Sequence, residues 1–177
     1  VVFPQSTRHF GNDQITVIAT FTDRVFTGSE NGDCLEWTVS GELIRTVYTA
    51  SAAITSIHAN FDGSMIAIGS ANGDIVIVPN EQEHISMTNV ETVAFAIATN
   101  EKYIITGHED GRVRVWTIKD LKLKRVIPSG GVITAITVED DLLALGMASG
   151  LIELFNWQTG EFVRSFPHEH RQMVTKI

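Results

Sequence analysis

A short glycine motif recurs four times along the 177-residue chain. Its first glycine stands at positions 28, 69, 107 and 146, so the copies are 41, 38 and 39 residues apart. A second glycine follows four residues later in every copy, at positions 32, 73, 111 and 150. Self-similarity at a fixed period of this length is typical of folds that stack one supersecondary unit on the next. The chain is therefore predicted to form an array of four similar units.

Each unit contains short apolar runs rich in Val, Ile, Thr and aromatic residues, separated by Gly, Asn, Asp and Ser. Such runs predict strands, and in the third unit we place four of them, at 92–98, 102–107, 112–117 and 122–127. The first strands of the four units are aligned to begin at Ile15, Ile54, Thr92 and Ile133. An Asn-Gly or Asp-Gly pair before the third strand predicts a tight hairpin whose residues adopt φ > 0. Since no long segment has helical periodicity, the fold class is all-β.

Four-stranded units of about 39 residues match a radial array of small sheets. In this respect the chain resembles the WD-repeat β-propeller family, whose repeats run roughly 40–45 residues and end in Trp-Asp. Trp37 and Trp116 stand at the position of that Trp, each followed by Thr, whereas Val78 and Phe155 replace it in the other two units. The resemblance implies an all-β propeller of four-stranded antiparallel blades. About four blades are complete, and we expect them to belong to a larger, seven-bladed ring.

The expected blades span roughly 9–48, 49–88, 89–127 and 128–166 of a single partial propeller. Residues 1–4 are interpreted as the outer strand of a preceding blade and residues 168–177 as the start of a fifth unit, with a first strand at Val174. Because the chain begins at Val1 without an initiator Met, we expect it to be a piece of a longer protein.

The resemblance also implies a structural network that links a His, a Ser or Thr, an Asp and the Trp within one blade. The matching positions of the first unit are His9, Thr27, Asn31 and Trp37, and those of the third unit are Thr106, Asp110 and Trp116. The second and fourth units have lost most of these residues, and His168 would supply the fifth unit. A polar network is therefore expected to hold the third blade most tightly.

In function, the resemblance implies a non-catalytic scaffold that binds other proteins within a multisubunit assembly. In that family the residues just before the turn Asp often contact partners. The corresponding partner-binding candidates here are Glu30, Ala71, Glu109 and Ala148. His108 precedes Glu109 and is expected to be an exposed contact as well. Glu30 and Glu109 would contribute to one acidic surface.

Charge is distributed unevenly along the chain. The formal net charge of -8 argues against a general binder of nucleic acid or anionic membranes. Residues 102–125, however, hold seven basic against three acidic residues, a local balance of +4. Lys122, Lys124 and Arg125 lie on the predicted outer strand, where basic residues commonly guard a sheet edge. The alternative is a basic surface for an acidic protein or, less favoured, RNA; an enzymatic propeller is a further alternative with less support.

No feature of the sequence predicts catalysis, a cofactor, a metal or a small-molecule substrate. Nucleotide-binding glycine motifs are absent, and the glycines are interpreted as turn residues. His168 and His170 could share a face but have no third metal ligand nearby. Cys34 is the only cysteine and is expected to be packed at the start of a strand. A single cysteine and the lack of a membrane-spanning apolar run favour an intracellular protein.

Overall fold

The structure is a computed structural model that describes residues 13–60, 63–80, 86–166 and 172–176. Within these ranges, sixteen strands form four sheets, and each sheet is a four-stranded antiparallel meander in chain order. We call the sheets blades 1 to 4. Blade 1 comprises β1 (Ile15–Phe21), β2 (Arg24–Ser29), β3 (Asp33–Thr38) and β4 (Leu43–Thr49). Blade 2 comprises β5 (Ile54–Ala59), β6 (Met65–Ser70), β7 (Asp74–Pro79) and β8 (Ser86–Asn89). Blade 3 comprises β9 (Ala94–Thr99), β10 (Tyr103–His108), β11 (Arg112–Thr117) and β12 (Leu123–Pro128). Blade 4 comprises β13 (Ile133–Glu139), β14 (Leu142–Met147), β15 (Ile152–Asn156) and β16 (Phe162–Phe166).

The blades pack side by side along an arc through their first strands. β1 contacts β5, β5 contacts β9 and β9 contacts β13. Three apolar clusters fill the junctions: one around Phe26 and Ile68 between blades 1 and 2, one around Met65 and Trp116 between blades 2 and 3, and one around Ile105 between blades 3 and 4. Packing both faces of a blade against its neighbours explains why nearly all of β6 and β7 is buried. The predicted all-β propeller architecture is thus confirmed.

The first glycine of each motif lies within the second strand of its blade, as the strand predicted at 102–107 already implied for Gly107, so the general interpretation of the glycines as turn residues does not hold for it. A Cβ atom on Gly28 would lie 2.5 Å from Ile54 of the next blade, and one on Gly107 would lie 2.5 Å from Ile133. These positions therefore need glycine because the next blade's first strand packs directly on the backbone.

A β-bulge recurs where the first two strands of every blade pair. The register shifts between Ile15 and Val17, Ile54 and Ser56, Ala94 and Ala96, and Ile133 and Ala135. The extra residue is Thr16, Thr55, Phe95 or Thr134. The predicted alignment of the third unit, which began at Thr92, was therefore two residues too early, because Ala94 occupies the position of Ile15.

The bulge threonines join neighbouring blades. The Thr55 hydroxyl donates a hydrogen bond to the Ala94 carbonyl at 2.6 Å, and the Thr16 hydroxyl donates to the Ile54 carbonyl. Each acceptor is the first residue of the next blade's inner strand. A bulge leaves its extra residue outside the ladder, so the hydroxyl is available to the adjacent blade.

The same contact recurs beyond blade 4. The Thr134 hydroxyl donates to the Val174 carbonyl at 2.5 Å, and the Val174 amide donates to the Met147 carbonyl at 3.1 Å. Residues 172–176 form no regular strand, which differs from the strand predicted at Val174. The backbone of Val174 nevertheless occupies the place that Ile54 and Ala94 take in earlier junctions. Residues 1–4, His9, His168 and His170 lie outside the described residues.

Predicted strand bounds in the third unit agree with blade 3 to within two residues. β11 is as predicted, whereas β9 begins two residues later and ends one residue later, and β10 and β12 are each shifted by one residue. The bulge in β9 accounts for its later start, because it moves the first ladder pair to Ala94 and His108.

Candidate functional site: the upper face of the propeller

The four turns between second and third strands lie on one side of the blades, which we call the upper face. The turn amides of Glu30, Ala71, Glu109 and Ala148 donate equivalent hydrogen bonds to the carbonyls of Gln14, Ala53, Val93 and Val132, at 2.8–3.0 Å. Each acceptor lies just before the inner strand of its own blade. All four donor residues are exposed. The structure thus places the four predicted contact residues at equivalent, solvent-facing positions.

The turns owe their shape to their second glycine. Gly32, Gly73, Gly111 and Gly150 have φ between 73° and 95°. Asn31, Asn72, Asp110 and Ser149 do not share this conformation, so the predicted positive φ of the hairpin is confirmed at the glycines and not at the residues before them. The turns instead have the geometry of a three-residue hairpin loop, in which an i to i+3 hydrogen bond closes the turn and a glycine is left-handed. In blade 1 this hydrogen bond runs from Gly32 N–H to the Ser29 carbonyl at 3.2 Å.

Carboxylates that the sequence prediction did not include also lie on the upper face. Asp33 and Asp74 directly follow the turn glycines of blades 1 and 2 and accept hydrogen bonds from Thr49 Oγ1 at 2.8 Å and Asn89 Nδ2 at 2.7 Å. Glu91, in the connection from blade 2 to blade 3, is exposed. The Gly-Asp pair shared by the first two units was the sequence feature that could have revealed Asp33 and Asp74.

Asp110 forms ion pairs instead of completing the expected network with Thr106 and Trp116. Its carboxylate lies 3.1 Å from Arg112 Nη1 and 2.6 Å from Arg114 Nη2. Partial burial by itself raises the pKa of Asp110, but hydrogen bonds from Arg114 and Arg112 outweigh it and hold that pKa at about 2. One carboxylate balances only one of the two arginines, so the cluster keeps one positive charge, which offsets Glu109 beside it.

His108 is fully buried, and the expectation that it is an exposed contact was wrong. Its Nε2 atom lies 2.7 Å from the Thr106 hydroxyl, which also accepts a 2.9 Å hydrogen bond from the Trp116 indole N–H. The third blade therefore does contain a polar network, but His108 replaces Asp110 in it. His108 points inward because it is the last residue of β10, two positions after Thr106 on the same face of the strand.

Blade 1 retains the predicted Thr-Trp link. The Trp37 indole N–H donates to the Thr27 hydroxyl at 2.8 Å. Asn31 is exposed at the turn. Ser29, which stands where blade 3 has His108, accepts the Asp33 amide at 3.1 Å and so stabilises the turn.

The three basic-edge candidates have different surroundings. Lys122 Nζ lies 2.9 Å from Asp120, near the turn that precedes β12. Arg125 Nη1 donates to the Thr159 carbonyl of blade 4 at 2.8 Å. Lys124 is the extra residue of a bulge between β11 and β12 and is exposed. The predicted basic edge is therefore not a uniform surface.

Cys34 is fully buried next to blade 2, as predicted. Burial raises the pKa of its thiol to about 12, and the charge of Glu36 adds to this. Such a thiol is inert as a nucleophile at neutral pH. In the described ranges, no group of three potential metal-ligating side chains converges. Those ranges also contain no helix with the length and apolar character needed to cross a membrane.

A family model described as "WD domain, G-beta repeat" matches residues 41–78 and 82–117. Each match runs from the outer strand of one blade to the third strand of the next. Two segments of this chain thus match WD repeats. The offset between sequence repeat and blade means that each WD repeat links two adjacent blades covalently.

Comparisons with individual proteins agree with this family. The chain is 28% identical over 78 residues to the WD repeat-containing protein 89 homolog of Dictyostelium discoideum, which corresponds to 44% of this chain and 21% of that protein. The chain thus matches only about a fifth of the length of that relative.

Two computationally designed proteins of known crystal structure share the fold. Ika8 superposes with a TM-score of 0.79 and 21% identity over 92% of this chain and 51% of its own. Ika4 superposes with a TM-score of 0.74 and 20% identity over 85% of this chain and 94% of its own.

WD-repeat proteins generally act as non-enzymatic scaffolds that bind other proteins.

Proposed function

We propose that this protein is a non-catalytic interaction module of a multisubunit assembly and that its partners bind to the upper face. The observation that carries the proposal is the set of four equivalent, exposed turn positions, of which Glu30 and Glu109 are acidic. A rigid sheet scaffold that presents short exposed turns is a common arrangement for binding sites. The proposal places the protein in an intracellular compartment, consistent with the single, buried Cys34.

The charge of the upper face favours a basic partner. Glu30, Glu91 and Glu109 are exposed on it, whereas Asp33 is half-buried and Asp74 is buried just beneath it. In blade 3 the charges of Arg112 and Arg114 balance those of Asp110 and Glu109, so the acidic excess of this face lies at blades 1 and 2 and at Glu91. A partner surface rich in Lys or Arg would therefore be attracted at long range, which mainly accelerates association.

The test reverses both turn charges in the intact protein with Glu30→Lys and Glu109→Lys. A partner that co-purifies with the native protein should then associate more slowly, and the salt dependence of its association rate should decrease. Because both side chains are exposed, the melting temperature should hardly change. Association rates are measured by surface plasmon resonance at several salt concentrations.

The matched control is Glu42→Lys with Glu161→Lys, which makes the same charge change at exposed turns on the opposite side of blades 1 and 4. Equal slowing by both pairs would show that only net charge matters. If the upper-face pair left partner binding unchanged, the upper face would not be the binding site.

The alternative is binding of an acidic protein or RNA by the basic third blade. Lys124 and Arg125 line a cleft between blades 3 and 4, which favours a second site there.

A further inference from the structure

A cleft of about 870 Å³ opens between blades 3 and 4 on the side opposite the upper face. The turns between first and second strands contribute Lys102 and Asp140 to its walls, and β12 contributes Lys124 and Arg125. An aromatic pair forms part of the lining: the rings of Tyr103 and Trp157 lie 5.2 Å apart at an interplanar angle of 60°.

The position of Arg125 is best understood by comparison with blade 1. Arg125 pairs across the sheet with Val115, as Arg45 pairs with Glu36 in blade 1. Glu36 Oε2 lies 2.5 Å from Arg45 Nε, and the Glu36 side chain is only 7% exposed. The junction between blades 1 and 2 therefore supplies its arginine with an internal carboxylate.

The junction between blades 3 and 4 lacks that carboxylate, because Val115 replaces it. Arg125 donates one hydrogen bond to a neutral carbonyl, that of Thr159. Within the described residues, neither Arg125 nor Lys102 nor Lys124 has a carboxylate within ion-pair distance. At the same positions the junction between blades 2 and 3 has Ile77 opposite Ser86, so it has no arginine there that needs a carboxylate.

The opposite wall is acidic. Asp140 and Asp141 form the turn of blade 4 beside the cleft. Their backbone carbonyls accept the Trp157 indole N–H at 2.8 Å and the Trp157 amide N–H at 3.1 Å, which fixes the turn against the aromatic pair. A ligand in the cleft therefore meets three cations and the carboxylate of Glu101 on blade 3, and two carboxylates on blade 4.

We propose that this cleft binds an extended peptide segment of a partner protein through an acidic side chain next to Arg125. That side chain would occupy the place that Glu36 fills in blade 1, and a neighbouring basic side chain would face Asp140 and Asp141. RNA fits less well, because a continuous phosphate backbone would be repelled by the acidic wall. This site is separate from the upper face and does not depend on it.

The experiment selects displayed random 12-residue peptides on the intact protein and measures their affinity by fluorescence polarisation. Peptides that carry an acidic residue next to a basic one should be enriched. Arg125→Glu should weaken their binding about tenfold or more, as expected from the loss of a charge-assisted hydrogen bond. Replacing the peptide's acidic residue by Arg should restore binding to Arg125→Glu and abolish it to the native protein.

Lys122→Glu provides the control, because Lys122 lies on the same segment but pairs with Asp120 outside the cleft. It should leave peptide affinity unchanged. Lys124→Glu, at a fully exposed position, serves as a second cleft variant if Arg125→Glu lowers the melting temperature.

The proposal is overturned if the selected peptides bind Arg125→Glu and Lys124→Glu as tightly as the native protein, or if no acidic residue is enriched. Tighter binding of a 12-nucleotide oligouridylate than of the peptides, with loss in Arg125→Glu, would reassign the cleft to RNA. Loss of peptide binding in the Glu30→Lys, Glu109→Lys variant alone would place the peptides on the upper face instead.

Discussion

His108 is the residue whose surroundings differ most from the sequence-based expectation. It ends β10 in a fully buried position, where Ser70 and Met147 stand in the neighbouring blades. Its Nδ1 atom has no well-aligned hydrogen-bond partner among the described residues. Burial and the charge of Arg114 lower the pKa of His108 to about 4, although Asp110 and the backbone of Thr92 and Val93 act in the opposite direction.

This pKa predicts a pH-dependent stability. The unfolded chain, in which the pKa of His108 is 6.5, binds more protons than the folded chain at any pH between 6.5 and about 4. The free energy of unfolding should therefore fall as the pH is lowered through this window, by up to about 3 kcal/mol. Asp110, with a pKa of about 2, and Arg114 keep their charges throughout the window. Urea unfolding of the intact protein at pH 7 and pH 4.5 measures the change.

The comparison protein is His108→Gln, which cannot be protonated. Its free energy of unfolding should decrease less between pH 7 and pH 4.5 than that of the native protein. An equal decrease in both proteins would mean that His108 does not cause the pH dependence.

Gly107 allows blades 3 and 4 to pack closely, because its backbone leaves no room for a methyl group. A Cβ at this position would lie 2.5 Å from Ile133 Cγ2. Gly107→Ala should therefore reduce the free energy of unfolding by about 1–3 kcal/mol, as overpacking does. Gly131→Ala is the matched control, because the nearest atom to its Cβ would be Met147 Sδ at 4.0 Å. The midpoints of denaturant unfolding are compared for the two variants. Equal midpoints would argue against close packing at Gly107.

At the scale of strands, the recurrent bulge converts an interruption of pairing into a link between blades. Thr16, Thr55 and Thr134 donate to the first residue of the following inner strand, or to Val174 beyond blade 4. Blade 3 has Phe95 instead. Its junction to blade 4 therefore relies on the apolar cluster around Ile105 and Ile133.

Removal of one such hydroxyl should weaken a junction selectively. Thr55→Val preserves the shape of the side chain but removes the shorter of two hydroxyl donors to the Ala94 carbonyl, the other being Ser56 Oγ at 3.1 Å, and this should cost about 0.5–1.5 kcal/mol. Amide hydrogen exchange in β5 and β9 should accelerate more than exchange in β13. Thr137→Val, at an exposed position of β13, is the control and should have little effect. Unchanged exchange in β5 and β9 would show that the bond contributes nothing to the junction.

At the scale of the whole molecule, the two sides of blade 4 differ in exposure. The side facing blade 3 buries Leu143, Leu145 and Phe155, whereas Leu142 is 49% and Phe166 44% exposed. Met65 occupies the position of Leu142 in blade 2 and is only 4% exposed, because blade 3 covers it. An uncovered apolar sheet face of this kind favours association.

Residues 1–177 expressed alone should therefore self-associate or bind a hydrophobic dye. Leu142→Lys with Phe166→Ser should reduce both effects, whereas Val39→Lys with Val126→Ser, at exposed positions of blades 1 and 3, should not. Sedimentation velocity and dye fluorescence are the measurements. A monodisperse native monomer without dye binding would contradict the prediction.

The repeat period and the local turn chemistry determined the number of blades, the four strands of each and the location of the upper face. These features follow from contacts within one unit, and the Thr-Trp links of blades 1 and 3 belong to the same class. Glu30 and Glu109 were found as exposed turn residues for this reason, although their part in binding stays a prediction.

Only the tertiary structure decided what depends on the neighbouring blade. A sequence run does not show that a bulge shifts β9 by two residues, that His108 turns inward to Thr106, or that Arg125 reaches Thr159 across a junction. Each of these contacts joins groups that are brought together by strand register or blade packing. The identity of the residue opposite, such as Val115 where blade 1 has Glu36, determines whether a charge is satisfied internally or remains available to a ligand.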